Sequence, residues 1–568
     1  MNSKMTASPI PLPLFLSLVS AAESILLLFV FPHALPEATL KSLFLIFALL
    51  NFGVFAVWRV FIYPFFVNPL RHLPGPKGIS KGEYPLIGHG FTMFSRPPGG
   101  HLLRFMKEVQ NDGLIHFRGF FNADRLVLTD PRALADVLVH NSYDFEKPPW
   151  VREFLRQFLG DGLLMTEGEE HKFQRKHIMP AFSFRHIKEL YPIFWQKSFE
   201  LTQAIAAEIY ENPEAPASEK GGVPSSVVEI NHWANKATMD IIGLAGLGRD
   251  IQALKNSDDE LIKNYEEILE PTAEKGIYFV CNLLFPQRIL RALPWKINER
   301  VRITSNNLKA ICRQFVQEKK QRMKTQSEDQ KDILSVLIES NDFSDDSLVD
   351  QLLTFLAAGH ETTSSAFTWI THLLATHPDI QNTLREEVFS NLPSPSASAV
   401  SGEDISALLE SLPYLNGVCT ETLRLFPTIP VSSRISIRPT TISGVPIPAG
   451  IQSIIAPWAI NRSPTLWGPD SEVFRPERWI DYSISPPGIN GSGGANSNYA
   501  FSTFIQGPRS CIGERFARAE LRALVAVFVG KYEMEMANPN EVVKPAGTIT
   551  LKPKNGMRLR LRAVDGEW

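Results

Sequence analysis

Phe504-Ile505-Gln506-Gly507-Pro508-Arg509-Ser510-Cys511-Ile512-Gly513 is the stretch whose reading decides the fold. Gly507 and Gly513 let the backbone come close to a flat ligand with no Cβ in the way. Pro508 stiffens the turn, and Arg509 sets a permanent cation beside the sulfur and any carboxylates near it. The chain has four cysteines, Cys281, Cys312, Cys419 and Cys511. They form no C-x-x-C pair and no zinc-type spacing, and their scarcity fits a reducing compartment rather than a disulfide scaffold. The first three lie in apolar helical runs and read as core. Cys511 alone has a chemical setting, one suited to an axial thiolate on a haem iron, where electron donation from sulfur favours O–O cleavage.

Outward from this decamer, Ser347 to Thr376 reads as one long helix. It contains Ala358-Gly359-His360-Glu361-Thr362-Thr363, followed by Ser364 and Ser365. Glycine in mid-helix costs about 1 kcal/mol against alanine, and Thr and Ser hydroxyls compete for backbone carbonyls. The expectation is a weakened turn able to hold a water and dioxygen. A His-Glu-x-x-His zinc site is excluded because position 364 is Ser. Glu421-Thr422-Leu423-Arg424 puts an acid and a base on one helix face, and a buried pair of this kind is a bidentate clip.

In order and spacing, these segments resemble those of the cytochromes P-450. Phe504-x-x-Gly-x-Arg-x-Cys511-x-Gly513 is similar to the haem signature, and Ala358-Gly359-His360-Glu361-Thr362 to the oxygen-activation segment. Glu421-x-x-Arg424 resembles the family's Glu-x-x-Arg, and Pro476-Glu477-Arg478-Trp479 its Pro-Glu-Arg-Phe. The resemblance implies a mainly α fold with small β-sheets: a triangular helical domain holding haem b between a long central helix and the cysteine loop. By residue, it implies Cys511 as axial ligand, Thr362 and Glu361 as catalytic groups that hold and protonate dioxygen, and Phe504 and Gly513 beside the haem. Arg175, Arg434 and Arg509 are implied as propionate partners, with His171 standing where many members carry Trp. Glu421, Arg424 and Arg478 are implied as a structural triad that locks the cysteine loop. Dioxygen and electrons from NADPH, delivered by NADPH–cytochrome P-450 reductase, complete the implied set. Glu361-Thr362 argues against a reductase-independent haem-thiolate isomerase or dehydratase. A non-catalytic haem-binding protein and a cofactor-free membrane protein stay open on the residues alone.

The 568 residues carry a formal net charge of −3 with 21% charged side chains, which offers nothing to nucleic acid. The N-terminus departs from globular chemistry. Ile10 to Phe31 is apolar apart from Glu23, and Ser42 to Trp58 is uncharged and extended past Arg59 by Val60 to Val67. The second segment is the better membrane span; the first is compatible with a second span, a signal-like segment or an interfacial helix. Arg59, Arg71, Lys77 and Lys81 follow, so the bulk of the chain is expected to face the cytosol, as in an endoplasmic-reticulum protein. Leu73-Pro74-Gly75-Pro76-Lys77-Gly78 is a non-helical hinge. The division is therefore a membrane anchor over 1–72 and one catalytic domain over 73–568, and the variable loops resemble those of a fungal microsomal member.

Residues 100–330 read mostly as helix, with His101–Gln110, Phe182–Tyr210, His232–Leu247 and Ile297–Lys324 as examples. Strand signals lie at Leu126–Leu128, Thr440–Pro446, Ile451–Ile455 and Met557–Leu561. Glu211–Ser226, Pro393–Gly402 and Ser485–Asn498 read as exposed loops. Trp150, Phe154, Phe158 and Phe279 are expected to line a pocket for an apolar small molecule in secondary metabolism. Arg515, Arg518 and Arg522, with Lys172 and Lys176, are expected to form a basic face for an acidic redox partner.

Overall fold

The computed structural model describes residues 11–30, 39–211, 225–255, 260–269, 272–285, 287–325, 332–395, 404–547 and 549–564. They fall into two compact units: the described residues up to 92 with 116–125, and 93–115 with 126 onward.

In the first unit, α1 (Leu12–Val30) packs along α2 (Leu40–Val57), and α2 continues as a π-helical turn over Trp58–Val67. Ile10 and Phe31, the expected ends of the first apolar segment, lie outside the described residues. Both helices are long and apolar enough to cross a membrane, the second over 28 residues. Their polarity is inside out. Ser20 and Ser24 are buried between them, while Leu26, Phe29, Leu45 and Phe52 face outward. Asn51 donates through Nδ2 to Ser20 Oγ (3.1 Å) and Glu23 Oε2 (2.6 Å). A polar bond between two apolar helices is the pattern expected where the surrounding solvent is hydrocarbon. After α2, the hinge is extended as its prolines require. Pro74 O accepts from His116 N at 2.8 Å, and a Cβ at Gly75 would lie 1.9 Å from His116 O, so this close approach admits only glycine.

The second unit is built on α3 (Gly168–Ile178), α4 (Phe184–Glu211), α5 (Ile230–Ile241), α6 (Asp345–Thr376), α7 (Pro413–Leu425) and α8 (Glu514–Lys531). The 32-residue α6 is buried over most of its length, polar residues included, and runs through the core. Ser344 accepts from Ser347 N to start it, with Asp345 and Asp346 in its first turn. Helix α5 packs on α6 and α4 on α8. Phe194 meets Phe516 edge-on at 4.9 Å, and Trp369 stacks on Phe426 at 4.3 Å. Small antiparallel sheets flank the helices. Ser432–Ser436 pairs with Gln452–Ile455, placing Arg434 opposite Ser453, and Phe145–Glu146 adds to its other edge. Arg558–Ala563 lies between Tyr532–Met536 and Ser225–Glu229. This is the mainly α fold with small sheets that the sequence leads one to expect.

The departures are local. His232–Leu247 is two elements, α5 and a π turn over Ile242–Gly246. Thr440–Pro446 is a hairpin that turns at Ser443-Gly444, both at positive φ. Ser225 and Ser226 belong to a strand rather than to a loop, and the residues between Glu211 and Ser225 lie outside the described set, as do those from 396 to 403. Ser485–Asn498 is not wholly free: Gly488 and Ile489 pair with Asp481 and Ile480, and Gly493 is buried on the Trp479 ring. Most of the segment is exposed as expected, and the backbone pairing and one glycine contact hold it without side-chain burial.

Candidate haem-thiolate site

The cysteine loop is held by its own backbone and by one arginine. Gly507 sits at φ +78°, where a Cβ would lie 2.1 Å from Leu138 O, so the turn requires glycine. Cys511 N donates to Phe504 O at 2.9 Å, closing the loop before α8 begins at Glu514. Arg175 of α3 donates to Ser510 O (2.6 Å) and Ser510 Oγ (3.3 Å), gripping the residue before the cysteine. Cys511 lies deep within the fold's mass yet its own surface is accessible. Burial, aided by Glu514, pushes the thiol up to about 11 against the pull of the Gly513 N–H and Arg175. With its proton held this firmly, the free chain carries a thiol at Cys511. A Cβ at Gly513 would find only ordinary contacts, 3.9 Å from Phe182 and 4.0 Å from Sγ. No contact among the described residues demands glycine there. Cys312 and Cys419 are buried, and burial pushes both thiols up to about 12, which makes them inert core; Cys281 is half-buried.

The middle of α6 is where the central helix opens. Ala358 is exposed and Thr362 half-exposed, one turn apart on the same face, in a helix otherwise buried. The helix is continuous through this turn. The expected weakened turn is not seen as a break; Thr362 Oγ1 donates to Ala358 O at 2.7 Å, and Thr238 Oγ1 of α5 donates to His360 O at 3.0 Å. Gly359 is needed because Ile242 would meet a Cβ at 2.9 Å. Glu361 turns away from water; its Oε1 accepts from Thr550 Oγ1 (2.9 Å) and Lys552 Nζ (2.8 Å). Phe182 joins the two sides of the site, touching Gly513's open face and meeting Phe355 of α6 edge-on at 5.6 Å.

A cluster of cations gathers beside the loop. Arg509 pairs with Glu167 at 2.6 Å, hydrogen-bonds Ser142 O and covers the Tyr143 ring. Lys147 lies 3.7 Å from the same carboxylate. Arg434 is buried and donates to Ser433 O at 2.8 Å. Burial, then Arg434, pushes Lys147 down to about 7, and burial pushes Arg434 down to about 10. Glu167 feels burial too, but Lys147 and Arg509 outweigh it and hold the carboxyl below its ordinary value. Burial, then Arg509 and Lys147, drives His171 to about 4, so its ring is neutral. His171 Nδ1 and Arg509 Nε are buried with no hydrogen-bond partner among the described residues. Three cationic side chains around one carboxylate, with orphaned donors, fit the two carboxylates of a haem. The accessible Cys511 and the bare Gly513 fit its iron and ring. Sequence reasoning missed Lys147 and Glu167, which lie in loops and pair only across the fold.

The clip beside the loop is complete. Arg424 meets Glu421 through two parallel bonds of 2.8 and 2.7 Å, both side chains fully buried. Arg478 Nε reaches Glu421 Oε1 at 3.4 Å, and Trp479 Nε1 donates to Oε2 at 2.8 Å. Asn461 extends the clip: it donates to Arg424 O and Thr503 Oγ1 and accepts from Ser502 N. Thr503 precedes Phe504, so the network ends on the cysteine loop.

Two expectations change. Of the predicted basic face, Arg518 is tied to Glu514 and Thr420, and Arg522 to Asn416, so their guanidinium groups are spent on packing α8 against α7. Arg515 is exposed, and Lys172 pairs with Glu169. Phe154, Phe158 and Phe279 pack ring against ring with Tyr278 as a small core of their own instead of standing as separate pocket walls.

Comparison with known proteins is consistent along the chain. The sequence model of one family, Cytochrome P450, matches residues 80–559. The cytochrome P450 monooxygenase sphH of Aspergillus fumigatus is 39% identical over 90% of this chain and 91% of its own. Its counterpart ptmK of Penicillium ochrochloron is 37% identical over 90% and 97%, and ALT8 of Alternaria alternata 36% over 90% and 93%.

Proposed function

The chain belongs to the cytochrome P450 family of haem-dependent monooxygenases, similar to fungal members, and from that premise we propose which of its residues do the work and on what. Cys511 would hold the haem iron through its sulfur, and the haem, when bound, would supply reductive cleavage of O2 and insertion of one oxygen atom into substrate. Arg175 holds the ligand loop through Ser510. Arg434, Arg509, Lys147 and the neutral His171 take the propionates, and Phe504 and Gly513 flank the ring. Thr362 presents its hydroxyl on the open face of α6, and Glu361, one residue back, moves protons toward it. Glu421, Arg424 and Arg478 keep the loop in register. The single observation that carries this assignment is the accessible Cys511 on a closed loop, gripped by Arg175 and bordered by two buried nitrogens, Arg509 Nε and His171 Nδ1, that lack hydrogen-bond partners.

The substrate is an apolar small molecule of secondary metabolism, and electrons come from NADPH through a reductase. Residues 1–72 anchor the chain in the endoplasmic-reticulum membrane, with residues 73–568 as the catalytic domain on the cytosolic side. A bond from Asn51 to Glu23 near mid-length of each helix supports α1 and α2 crossing the bilayer as a pair. The test is metabolite profiling of cells that express the chain with a P450 reductase, against cells with reductase alone. New products 16 mass units heavier than an apolar precursor are expected. Haem-loaded protein that gains no product and consumes no NADPH with reductase present overturns the oxygenase reading.

A further inference from the structure

One carboxylate stands among the cations beside the cysteine loop, and its partners keep donors unspent. Glu167 occupies the N-cap position of α3, yet its side chain caps nothing. It turns instead to Lys147, whose N donates to Glu167 Oε1 at 2.9 Å. Lys147 Nζ lies 3.7 Å from the same oxygen, beyond hydrogen-bond length. Arg509 Nη2 comes within 2.6 Å of Oε2 without the alignment of a hydrogen bond, and Nη2, Nε and Oε2 all lack a hydrogen-bond partner among the described residues. The side chains of Glu167 and Arg509 are each 4% exposed and that of Lys147 15%. Lys147 follows the strand Phe145–Glu146, whose pairing with Ile435 and Ser436 brings it beside Arg434. The remaining neighbours are accounted for. Arg152 pairs with Glu146 at 3.2 Å, His171 is neutral, and Arg175 is turned to Ser510. Lys147, Arg434 and Arg509 therefore face Glu167 alone, an excess of two positive charges in a site largely closed to water. The two carboxylates of a haem cancel that excess. Of the three cations, only the lysine can lose its proton near neutral pH, since guanidinium groups stay charged.

We propose that Glu167 is the counter-carboxylate of the propionate cluster, holding Lys147 and Arg509 in place while leaving Arg509 Nε and Nη2 unspent, and that Lys147 takes up a proton from solvent as the two carboxylates of the haem enter. Haem loading is thereby coupled to the protonation of one lysine. This inference rests on the reading of the cluster as the propionate site, and it adds the residue that balances the free state and the residue that balances the loaded one. Both are positioning residues: no covalent bond changes and no electron moves.

The test partitions haem between the full-length holoenzyme in nanodiscs and an excess of apomyoglobin at pH 6, 7 and 8, for the parent and for Lys147→Arg, whose cation does not titrate. Dividing one affinity by the other cancels every group the two proteins share. Burial, then Arg434, holds Lys147 at about 7 in the haem-free chain. The loaded site favours its charged form, so binding takes up a proton and affinity falls as pH rises. The parent-to-variant ratio is expected to drop about tenfold from pH 6 to pH 8. Haem dimethyl ester, whose carboxylates are capped, is the control probe, and its ratio is expected to stay flat. Glu167→Gln removes the one carboxylate beside Lys147 and is expected to move the midpoint of the fall from about pH 7 to about pH 6; a fixed midpoint means that Glu167 only packs the start of α3, and overturns its role. A ratio that is flat for haem, or that falls as much for the diester, overturns the coupling. The parent's affinities at pH 6 then show which layer has failed. Haem held about tenfold or more tightly than its diester leaves the propionate site standing and removes only the coupling; equal affinities remove both.

Discussion

Replacing Glu421 with Ala is expected to damage both the stability of the chain and the loop that carries the cysteine. In the intact protein, Glu421 accepts from Arg424 Nε and Nη2, Trp479 Nε1, Arg475 N and Arg478 Nε, and its side chain is fully buried. Truncation leaves the Arg424 guanidinium buried with only carbonyl partners, those of Asn461, Ser471 and Val473. Breaking a buried pair from one side costs about 3–5 kcal/mol, because the survivor keeps its desolvation penalty without the compensating charge. About 480 residues lie in the matched catalytic region. At roughly 2.1 cal/mol/K of unfolding entropy per residue, they give about 1 kcal/mol per degree, so the melting temperature should fall by about 3–5 °C. The damage should also travel. Arg424 O and Thr503 Oγ1 share the Asn461 amide, and Thr503 abuts Phe504, whose carbonyl receives Cys511 N. The assay is differential scanning calorimetry with the reduced carbon-monoxide spectrum taken in parallel. A loss of melting temperature together with a growing fraction of protein that has lost thiolate character is expected. The control is Arg132→Ala, whose exposed pair with Asp112 should leave both readings unmoved. A Glu421→Ala protein that melts within a degree of the parent, with an unchanged spectrum, refutes the reasoning.

Other outcomes follow from the same geometry. Thr362→Ala removes the hydroxyl from the open face of α6 and should keep haem content while diverting most NADPH-derived electrons to peroxide; unchanged coupling between NADPH and product shows that Thr362 only packs the helix. His171 has a folded pKa of about 4 against an ordinary 6.5, so the unfolded chain binds its proton first as pH falls. Stability is full above pH 6.5 and drops between pH 6.5 and 4, by about 3 kcal/mol for this group; chemical denaturation of His171→Phe should show that much less acid sensitivity than the parent. Asn51→Leu removes the bond between α1 and α2, and energy transfer between labels placed on the two helices in membranes should then fall at least several-fold; unchanged transfer means the polar contact does not hold the hairpin.

What could be read in the sequence, and what could not, divides along sequence distance. The Glu421–Arg424 pair was legible because three residues of helix fix the geometry. The long α6 and its hydroxyl-rich turn were legible because apolar residues recur along its whole length without a helix breaker and the polar residues cluster most densely at His360–Ser365. Lys552 on Glu361 and Glu167 on Arg509 were not, since nearly 200 and more than 300 residues separate the partners and nothing local marks a lysine or glutamate as an ion-pair partner. Arg518 and Arg522 looked like a surface for the same reason: helical spacing shows a shared face, while their partners Thr420 and Asn416 sit on α7. The inverted polarity of α1 and α2 was half-legible. Glu23 stood out in its apolar run, but its bond to Asn51 needed the two helices side by side.

The reduced carbon-monoxide difference spectrum of the purified chain, beside that of Cys511→His, tests the central claim most directly. An absorption band near about 450 nm for the parent, moving to about 420 nm when sulfur is exchanged for nitrogen, is the result expected of an iron held by this cysteine. A parent that already absorbs near about 420 nm in undamaged protein, or a Cys511→His variant that keeps the longer-wavelength band, means that the iron is bound by some other group.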